Sequence, residues 1–403
     1  MGRDIAVVCA PPPGINVGMY SVDLGFQHLS KKHGFWDRIQ YYRLYPSIQP
    51  SPIEDIESSY RIIPSGDEFF QSHRAIIYWG DFLHMRQYQK TVTQKLVDNG
   101  LFNDLETAQK RVREVFLLQD KDKRILEKSL SFGSTLLFNT IQDETDPAYR
   151  ASLERFLKLC GGVWFRDVYS ALKACHIREI YQPGCLGVDC ANLVDSAMLA
   201  GLETETGAKA QVGVFFGRTT KAIESMISFA LDLSNRLESK AVWLKWGDTN
   251  AFPPLSSIGE LDSVRSINSF VEEAIDQPMA ALNALTRYKA IITDTYHVCV
   301  NAWNLGIPAI CLVENEFSKY RNVNFGDPYA ARDKRQVFMG MYDALDFLVP
   351  GNELNDREQR EARILHLISY INSQSVIKSI HNRIRLHAKS AEDSFMRELS
   401  QFL

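Results

Sequence analysis

The feature that most limits the fold of this chain is an alternation of short apolar runs with longer stretches of helical spacing. Each apolar run is only a few residues long and stops at glycine or at polar residues, which is typical of strands buried in a parallel sheet. Strands that alternate with helices build α/β domains. The pattern predicts an α/β protein with strands at residues 4–10, 75–79, 134–138, 163–165, 180–181, 210–216, 241–245, 290–293 and 309–313.

The strands form two series, and a chain of 403 residues is long enough for two domains of ordinary size. Residues 201–209 separate the two series and are the preferred linker. We therefore predict a Rossmann-like domain over residues 1–204, a second one over 205–350, and C-terminal helices over 351–403 that pack across the junction.

The composition is that of a folded enzyme without unusual partners. Hydrophobic residues make up 45% of the chain and the formal net charge is −4, so nucleic acid is disfavoured as a partner. The 7 cysteines lack C-x-x-C spacing and most lie in apolar runs, which indicates reduced thiols in a cytoplasmic protein. Cys185, Cys190 and His176 match a zinc site too loosely, so we predict no metal. We also expect no signal peptide and no membrane span, and homo-oligomerisation stays open.

The segment at residues 290–313 carries the strongest functional signal. Its apolar strand ends at Asp294, and Thr295, Tyr296 and His297 follow at the start of a helix. In α/β proteins the carboxyl end of a strand and the following helix N-terminus face the ligand crevice. Histidine is a suitable general acid or base near neutral pH. The plainer interpretation, in which Asp294 caps the helix and His297 is structural, is also open at this point.

A second polar turn follows the strand at residues 210–216. Arg218, Thr219 and Lys221 offer cations, hydroxyls and backbone N–H groups suited to a carboxylate or phosphate, although the turn lacks P-loop spacing. An ordinary surface turn is the alternative. Lys245 lies between two tryptophans and suits either an ion pair or a ligand contact.

Two strand ends in the first half add candidates. Asn16 and Gly18 follow the first strand, where a ligand can approach the glycine backbone closely, although a helix cap is equally consistent. Gly80, Asp81 and His84 follow the strand at 75–79 and are expected to face the same crevice unless they form a buried turn. The chain lacks the G-x-S-x-G, H-E-x-x-H, G-x-G-x-x-G and Walker patterns, which disfavours the corresponding enzyme classes.

With these segments in order, the chain resembles the polysaccharide pyruvyl transferase family. Its members move a pyruvyl group from phosphoenolpyruvate onto a sugar as a ketal during polysaccharide biosynthesis. The motifs that carry the resemblance are residues 16–18, 79–83, 166–170, Arg218, 294–297 and 306–308. The resemblance implies a GT-B-like arrangement of two Rossmann-like domains. The active site then lies in the cleft between them, with the acceptor on the N-terminal side and the anionic donor on the C-terminal side, and no cofactor is required.

The chain departs from the family pattern at one position that matters. The family has an arginine that contacts phosphoenolpyruvate where this chain has Thr295. The resemblance then implies that another cation supplies the charge, that the donor differs, or that activity has been lost. The candidates for the missing cation are Arg218, Lys221, Lys245 and Arg287.

The resemblance also implies roles for the candidate residues. Asp81 or His84 would act as the base on the acceptor hydroxyls, His297 would protonate the donor methylene or neutralise its phosphate, and Arg218 would hold the donor. The substrate-binding candidates also include Asn16, Gly18, Gly80, Thr219, Lys221, Lys245, Asp294, Thr295 and Tyr296. A glycosyltransferase that uses a nucleotide sugar and a catalytically silent binding protein of the same fold are the alternatives.

Overall fold

A computed structural model describes most of the chain. The described residues are 3–10, 16–45, 60–80, 82–178, 186–195, 211–218, 223–244, 246, 278–313 and 333–403.

The first half is built on a fully parallel sheet. Its strands are β1 (Ile5–Cys9), β2 (Ile39–Arg43), β3 (Tyr60–Ile62), β4 (Ala75–Trp79), β5 (Ser129–Ser134) and β6 (Gly162–Phe165). They lie in the order β3-β2-β1-β4-β5-β6, so the direction of winding reverses between β1 and β4. Ligand crevices of α/β sheets open at such reversal points, and the segments after β1 and β4 border this one.

Helices connect and cover these strands. They are α1 (Val17–Lys32), α2 (Glu68–Ser72), α3 (Arg86–Asp98), α4 (Leu105–Phe116), α5 (Lys123–Glu127), α6 (Ile141–Glu144), α7 (Pro147–Leu159) and α8 (Val168–Arg178).

The second half repeats the design with a second parallel sheet. Its strands are β7 (Gln211–Phe215), β8 (Lys240–Trp243), β9 (Ala290–Thr293), β10 (Ala309–Val313) and β11 (Leu348–Pro350), in the order β11-β10-β9-β7-β8. The winding reverses between β7 and β9, so the segments that begin at Gly217 and Asp294 flank the crevice. The helices of this half are α9 (Ile223–Arg236), α10 (Pro278–Leu285), α11 (Tyr296–Asn304) and α12 (Lys334–Met341).

The C-terminal region is helical and contacts both halves. It consists of α13 (Gly351–Asn355), α14 (Arg357–Ile371) and α15 (Gln374–Leu399). The first part of α15 buries Ile377, Ile380 and Ile384 in the core of the second sheet. Its last turns bury Phe395 in the core of the first sheet, where its ring centroid lies 5.1 Å from that of Phe132. One continuous helix therefore spans the junction between the sheets.

These observations confirm the predicted fold class, an α/β protein with two parallel sheets covered by helices and a C-terminal helical region. The strand predicted at 134–138 is wrong in position, because the strand spans Ser129–Ser134 and the apolar residues after it pack in a loop. The predicted strand at 180–181 and the boundary between 204 and 205 lie outside the described residues. Among the residues that are described, no helix is long and apolar enough to cross a membrane.

Candidate functional site

A buried cluster of charged side chains lies where the two sheets meet. Arg166 follows β6, Asp189 belongs to the segment at residues 186–195, and His297 is at the start of α11. The Arg166 Nη1 atom is 3.1 Å from the Asp189 Oδ2 atom, and both side chains are only 2% exposed. The His297 Nε2 atom is 3.8 Å from the same carboxylate oxygen. A single carboxylate thus links a cation of the first half to a histidine of the second.

Asp189 is held in place by its neighbours in the chain. Its carboxylate accepts a hydrogen bond of 3.1 Å from the Ala191 N–H and so caps a short 3-10 helix at Cys190–Leu193. Burial alone would raise the pKa of Asp189, but the charges of His297 and Arg166, together with the Ala191 and Tyr296 hydrogen bonds, lower it below its usual value. The carboxylate is therefore ionised at neutral pH, and its negative charge favours the protonated forms of Arg166 and His297.

Gly18 allows the first turn of α1 to lie directly against His297. A Cβ atom at Gly18 would lie 2.6 Å from the His297 Cβ atom and 2.7 Å from its Nδ1 atom. Only a residue without a side chain fits at this contact without displacing the imidazole. Asn16 accepts a hydrogen bond of 3.1 Å from the Met19 N–H, so its side chain caps α1. The motif after β1 therefore positions the histidine of the other half.

We predict that Gly18→Ala destabilises the protein by about 1–3 kcal/mol, the usual cost of overpacking a tight contact. Urea denaturation of the two proteins measures the difference. Gly66→Ala is the matched control, since a Cβ atom at Gly66 meets nothing within 4 Å, and its effect is expected to stay within about 0.5 kcal/mol. Equal stability of wild type and Gly18→Ala would contradict the close packing of α1 on His297.

Two cations converge on the aromatic ring next to His297. The Arg166 guanidinium carbon is 5.0 Å from the centroid of the Tyr296 ring, and the Lys334 Nζ atom is 4.8 Å from it. The same two side chains lie 5.2 Å and 5.8 Å from the Phe82 ring centroid. Aromatic faces can hold cations in place without neutralising them. Arg166 and Lys334 therefore bring two positive charges to Tyr296, next to His297, and the Asp189 carboxylate balances one of them.

Asp294 is a positioning residue. Its side chain is 0% exposed and accepts hydrogen bonds from the backbone N–H groups of Gly217 at 2.7 Å and Arg218 at 2.9 Å. Thr295 donates its hydroxyl to Asp294 at 2.9 Å and occupies the N-cap position of α11 without a capping side-chain bond. Asp294 thus ties the end of β9 to the turn after β7, where Arg218 is exposed. It does not cap α11.

Thr295 stands where the family has an arginine, and the cations near Tyr296 are candidates to replace that positive charge. Arg166 and Lys334 already bring positive charge to the neighbourhood of Thr295. Arg287 is exposed just before β9, at the amino end of the strand. It therefore lies at the opposite end of the strands from Thr295, and we exclude it as a substitute for the family arginine. The predicted residues Asp81, Thr219, Lys221 and Lys245 lie outside the described residues.

The expectation that His84 reaches the crevice is wrong. The side chain is 0% exposed, its Nδ1 atom is 2.7 Å from the Phe116 carbonyl oxygen, and its Nε2 atom is 2.8 Å from Ser131 Oγ. Burial lowers the pKa of His84 to about 4, so the ring is neutral and structural at physiological pH. Gly80 has φ +82°, and a Cβ atom there would lie 2.6 Å from Val22 Cγ1, so Gly80 serves the turn and the packing on α1.

Asp189 and Lys334 were not among the predicted site residues. Arg166 was included only as part of the motif at residues 166–170 that carries the family resemblance. Arg166 follows a strand just as Asp294 does, so its position was a usable signal. Asp189 lies in a segment without periodic pattern, and Lys334 begins a helix that does not follow directly on a described strand. Among the described residues, no group of three or more His, Cys, Asp or Glu side chains is arranged to hold a metal ion.

The fold and site define a two-sheet α/β protein of the GT-B fold. The UDP-GlcNAc 2-epimerase from Neisseria meningitidis, solved with UDP-GlcNAc bound, has a similar structure, with a TM-score of 0.50 and 11% identity over 98% of this chain and 100% of that one. A second structure, assigned to the same enzyme class in Listeria monocytogenes, has a TM-score of 0.50 and 7% identity, over 100% of this chain and 98% of that one. At such low identity the similarity establishes the fold alone.

The family follows from the sequence itself. The model of the polysaccharide pyruvyl transferase family matches residues 30–316, which is more than half of the chain. The chain therefore belongs to the polysaccharide pyruvyl transferase family. A search of curated proteins finds no significant match.

Proposed function

We propose that this protein transfers a pyruvyl group from phosphoenolpyruvate to a pair of hydroxyls on a carbohydrate or carbohydrate-like acceptor, forming a cyclic ketal. Family membership supports the transferase class. The observation that carries the specific proposal is the convergence of Arg166, Lys334 and His297 around Tyr296. Phosphoenolpyruvate is a small dianionic to trianionic donor, and such a positively charged cluster suits both its carboxylate and its phosphate.

Each cation has a role in the proposed donor complex. Arg166 is fixed by its ion pair with Asp189, so its planar guanidinium group is preorganised for a carboxylate or phosphate. Lys334 is held over the Tyr296 ring and supplies a second positive charge. Arg166 belongs to a motif shared with the family, so Lys334 is the residue that takes over the task of the family arginine that is Thr295 here. Arg218, exposed in the turn that Asp294 holds, stays a candidate for contact with the donor.

His297 is the proposed general acid. The Asp189 carboxylate at 3.8 Å favours the protonated imidazole, which delivers its proton to the methylene carbon of phosphoenolpyruvate. The adjacent carbon then becomes electrophilic, and the first acceptor hydroxyl adds to it and loses its proton. Phosphate leaves, and the second hydroxyl adds to the same carbon to close the ketal. Asp81 stays the proposed base for the hydroxyl protons.

The test is to incubate the protein with phosphoenolpyruvate and a panel of glycosides, measuring phosphate release and the mass of the acceptor. Lys334→Gln is expected to weaken donor binding by about tenfold or more, since a charge-assisted contact contributes roughly 1.5–3 kcal/mol. Arg287→Gln is the matched control. It removes a cation near the amino end of β9, away from the proposed donor site, and is expected to leave donor binding unchanged.

Thermal shifts separate this proposal from the alternatives, because a ligand that binds only the native state raises the melting temperature. Stabilisation by phosphoenolpyruvate together with acceptor-dependent phosphate release supports pyruvyl transfer. Stabilisation by nucleotide diphosphates but not by phosphoenolpyruvate would instead indicate a glycosyltransferase. Binding of phosphoenolpyruvate without turnover on any acceptor would indicate a silent binding protein.

A further inference from the structure

A cavity of about 660 Å³ is lined by residues of the first half, the second half and the C-terminal helix, several of which are near neighbours in sequence of the charged cluster. Its size falls within the range of about 300–1,000 Å³ that is typical of small-molecule sites. The wall includes Val168 and Tyr169 at the start of α8, Val337 and Met341 on α12, and Tyr342 and His387.

Several residues of the cavity wall are close in sequence to residues of the proposed donor site. Val168 lies two positions after Arg166, and Leu186, another wall residue, pairs with Phe165 and precedes Asp189 in the same short segment. Helix α12 begins with Lys334 and lines the cavity with its later turns. The elements that place the charged side chains therefore also build the cavity wall.

The wall contains the polar residues Gln336, Tyr342, Arg383 and His387, of which Tyr342 and His387 bind each other and Arg383 binds a residue outside the wall. The Tyr342 hydroxyl is 3.1 Å from the His387 Nδ1 atom, and Arg383 donates to the Asp343 carboxylate at 2.6 Å. Burial lowers the pKa of His387, which disfavours a charged imidazole beside the cavity. Leu345 and Val168 are 50% and 36% exposed at its edge. The wall is thus better suited to an apolar group than to a second anion.

We propose that this cavity binds an alkyl or aryl aglycone attached to the carbohydrate acceptor, so that the enzyme acts on glycosides whose anomeric substituent is apolar. The proposal rests on the proposed function in one respect, since it assumes that the acceptor sugar lies at the neighbouring charged cluster. Apolar burial of the aglycone would then orient the sugar hydroxyls toward the donor.

Gly340 provides a sharp test. It lines the cavity, and a Cβ atom there meets nothing within 4 Å, so there is open space at the point where a side chain would begin. Gly340→Leu is therefore expected to occupy part of the cavity while retaining the fold, and leucine is the better helix former. Gly340→Ala is the matched control, because its single methyl group adds little volume.

The probes are octyl, phenyl and methyl β-D-glucopyranoside, the octyl compound below its micelle concentration, with binding measured by ligand-observed NMR. Wild type and Gly340→Ala are expected to bind the octyl or phenyl glycoside at least about tenfold more tightly than the methyl one, since even one methylene in a hydrophobic pocket gives that discrimination. Gly340→Leu is expected to abolish this preference. Comparing the affinities of the octyl and phenyl glycosides then shows whether the cavity prefers an alkyl or an aryl group.

The outcomes separate this proposal from the proposed function. Equal binding of all three glycosides, or an apolar preference that persists in Gly340→Leu, overturns the aglycone site even when pyruvyl transfer is observed. A preference that Gly340→Leu abolishes supports the site even when phosphoenolpyruvate is not turned over. Melting temperatures of the variants verify that each one is folded.

Discussion

Replacing His297 with alanine is expected to lower the rate of pyruvyl transfer by about 10²- to 10⁴-fold, the usual contribution of a positioned general acid. The reason is that protonation of the donor methylene creates the electrophilic carbon, and the only histidine in contact with the described charged cluster is His297. The measurement is phosphate release under saturating phosphoenolpyruvate and acceptor.

The control for this variant is His366→Ala. His366 lies on α14 at 3.0 Å from Asp346, with 38% of its side chain exposed, and it is outside the cluster. Its substitution is expected to leave the rate unchanged. Full activity of His297→Ala would refute its role as the acid, whereas loss of activity in a well-folded variant, with donor binding retained, would support it.

Replacing Asp189 with asparagine is expected to cost about 3–5 kcal/mol of unfolding free energy, the loss found when one partner of a buried ion pair is removed. Asparagine has nearly the same shape and can still accept the Ala191 N–H bond. The substitution therefore removes mainly the charge that compensates Arg166, whose side chain is 2% exposed. Urea denaturation at neutral pH measures the difference.

The pH dependence of this difference has a definite sign. The pKa of Asp189 in the folded protein is lowered below its ordinary value of 3.8, so its contribution to stability is complete above 3.8 and is lost as the pH falls through the folded value. The stability gap between wild type and Asp189→Asn should therefore narrow as the pH falls below 3.8. A gap that does not change in acid would contradict the lowered pKa.

The control is Asp393→Asn. This carboxylate is 56% exposed and lies 3.6 Å from Lys389 one helical turn away. Exposed helix pairs of this kind contribute about 0.3–0.5 kcal/mol, so the substitution should have little effect at any pH.

Most strands were predictable because burial on both faces makes a strand apolar over its whole length, and this is a local property of the sequence. The strands β2, β3 and β11 were missed, because β2 and β3 contain polar residues and β11 is only three residues long. The same local rule identified which residues lie at carboxyl strand ends, including Gly80 and Asp294. It failed for His84, because position after a strand does not determine whether a side chain faces the crevice or the core. Packing against Phe116 and Ser131 decided that question.

By itself, the sequence determined the α/β class, the two series of strands and the segment at residues 290–313, because periodicity and strand ends are properties of neighbouring residues. The tertiary structure decided that Asp189 joins Arg166 to His297 and that Gly18 lies against the imidazole. Those contacts connect residues far apart in the chain. They depend on how two sheets and one long C-terminal helix pack together, and no local pattern encodes that packing.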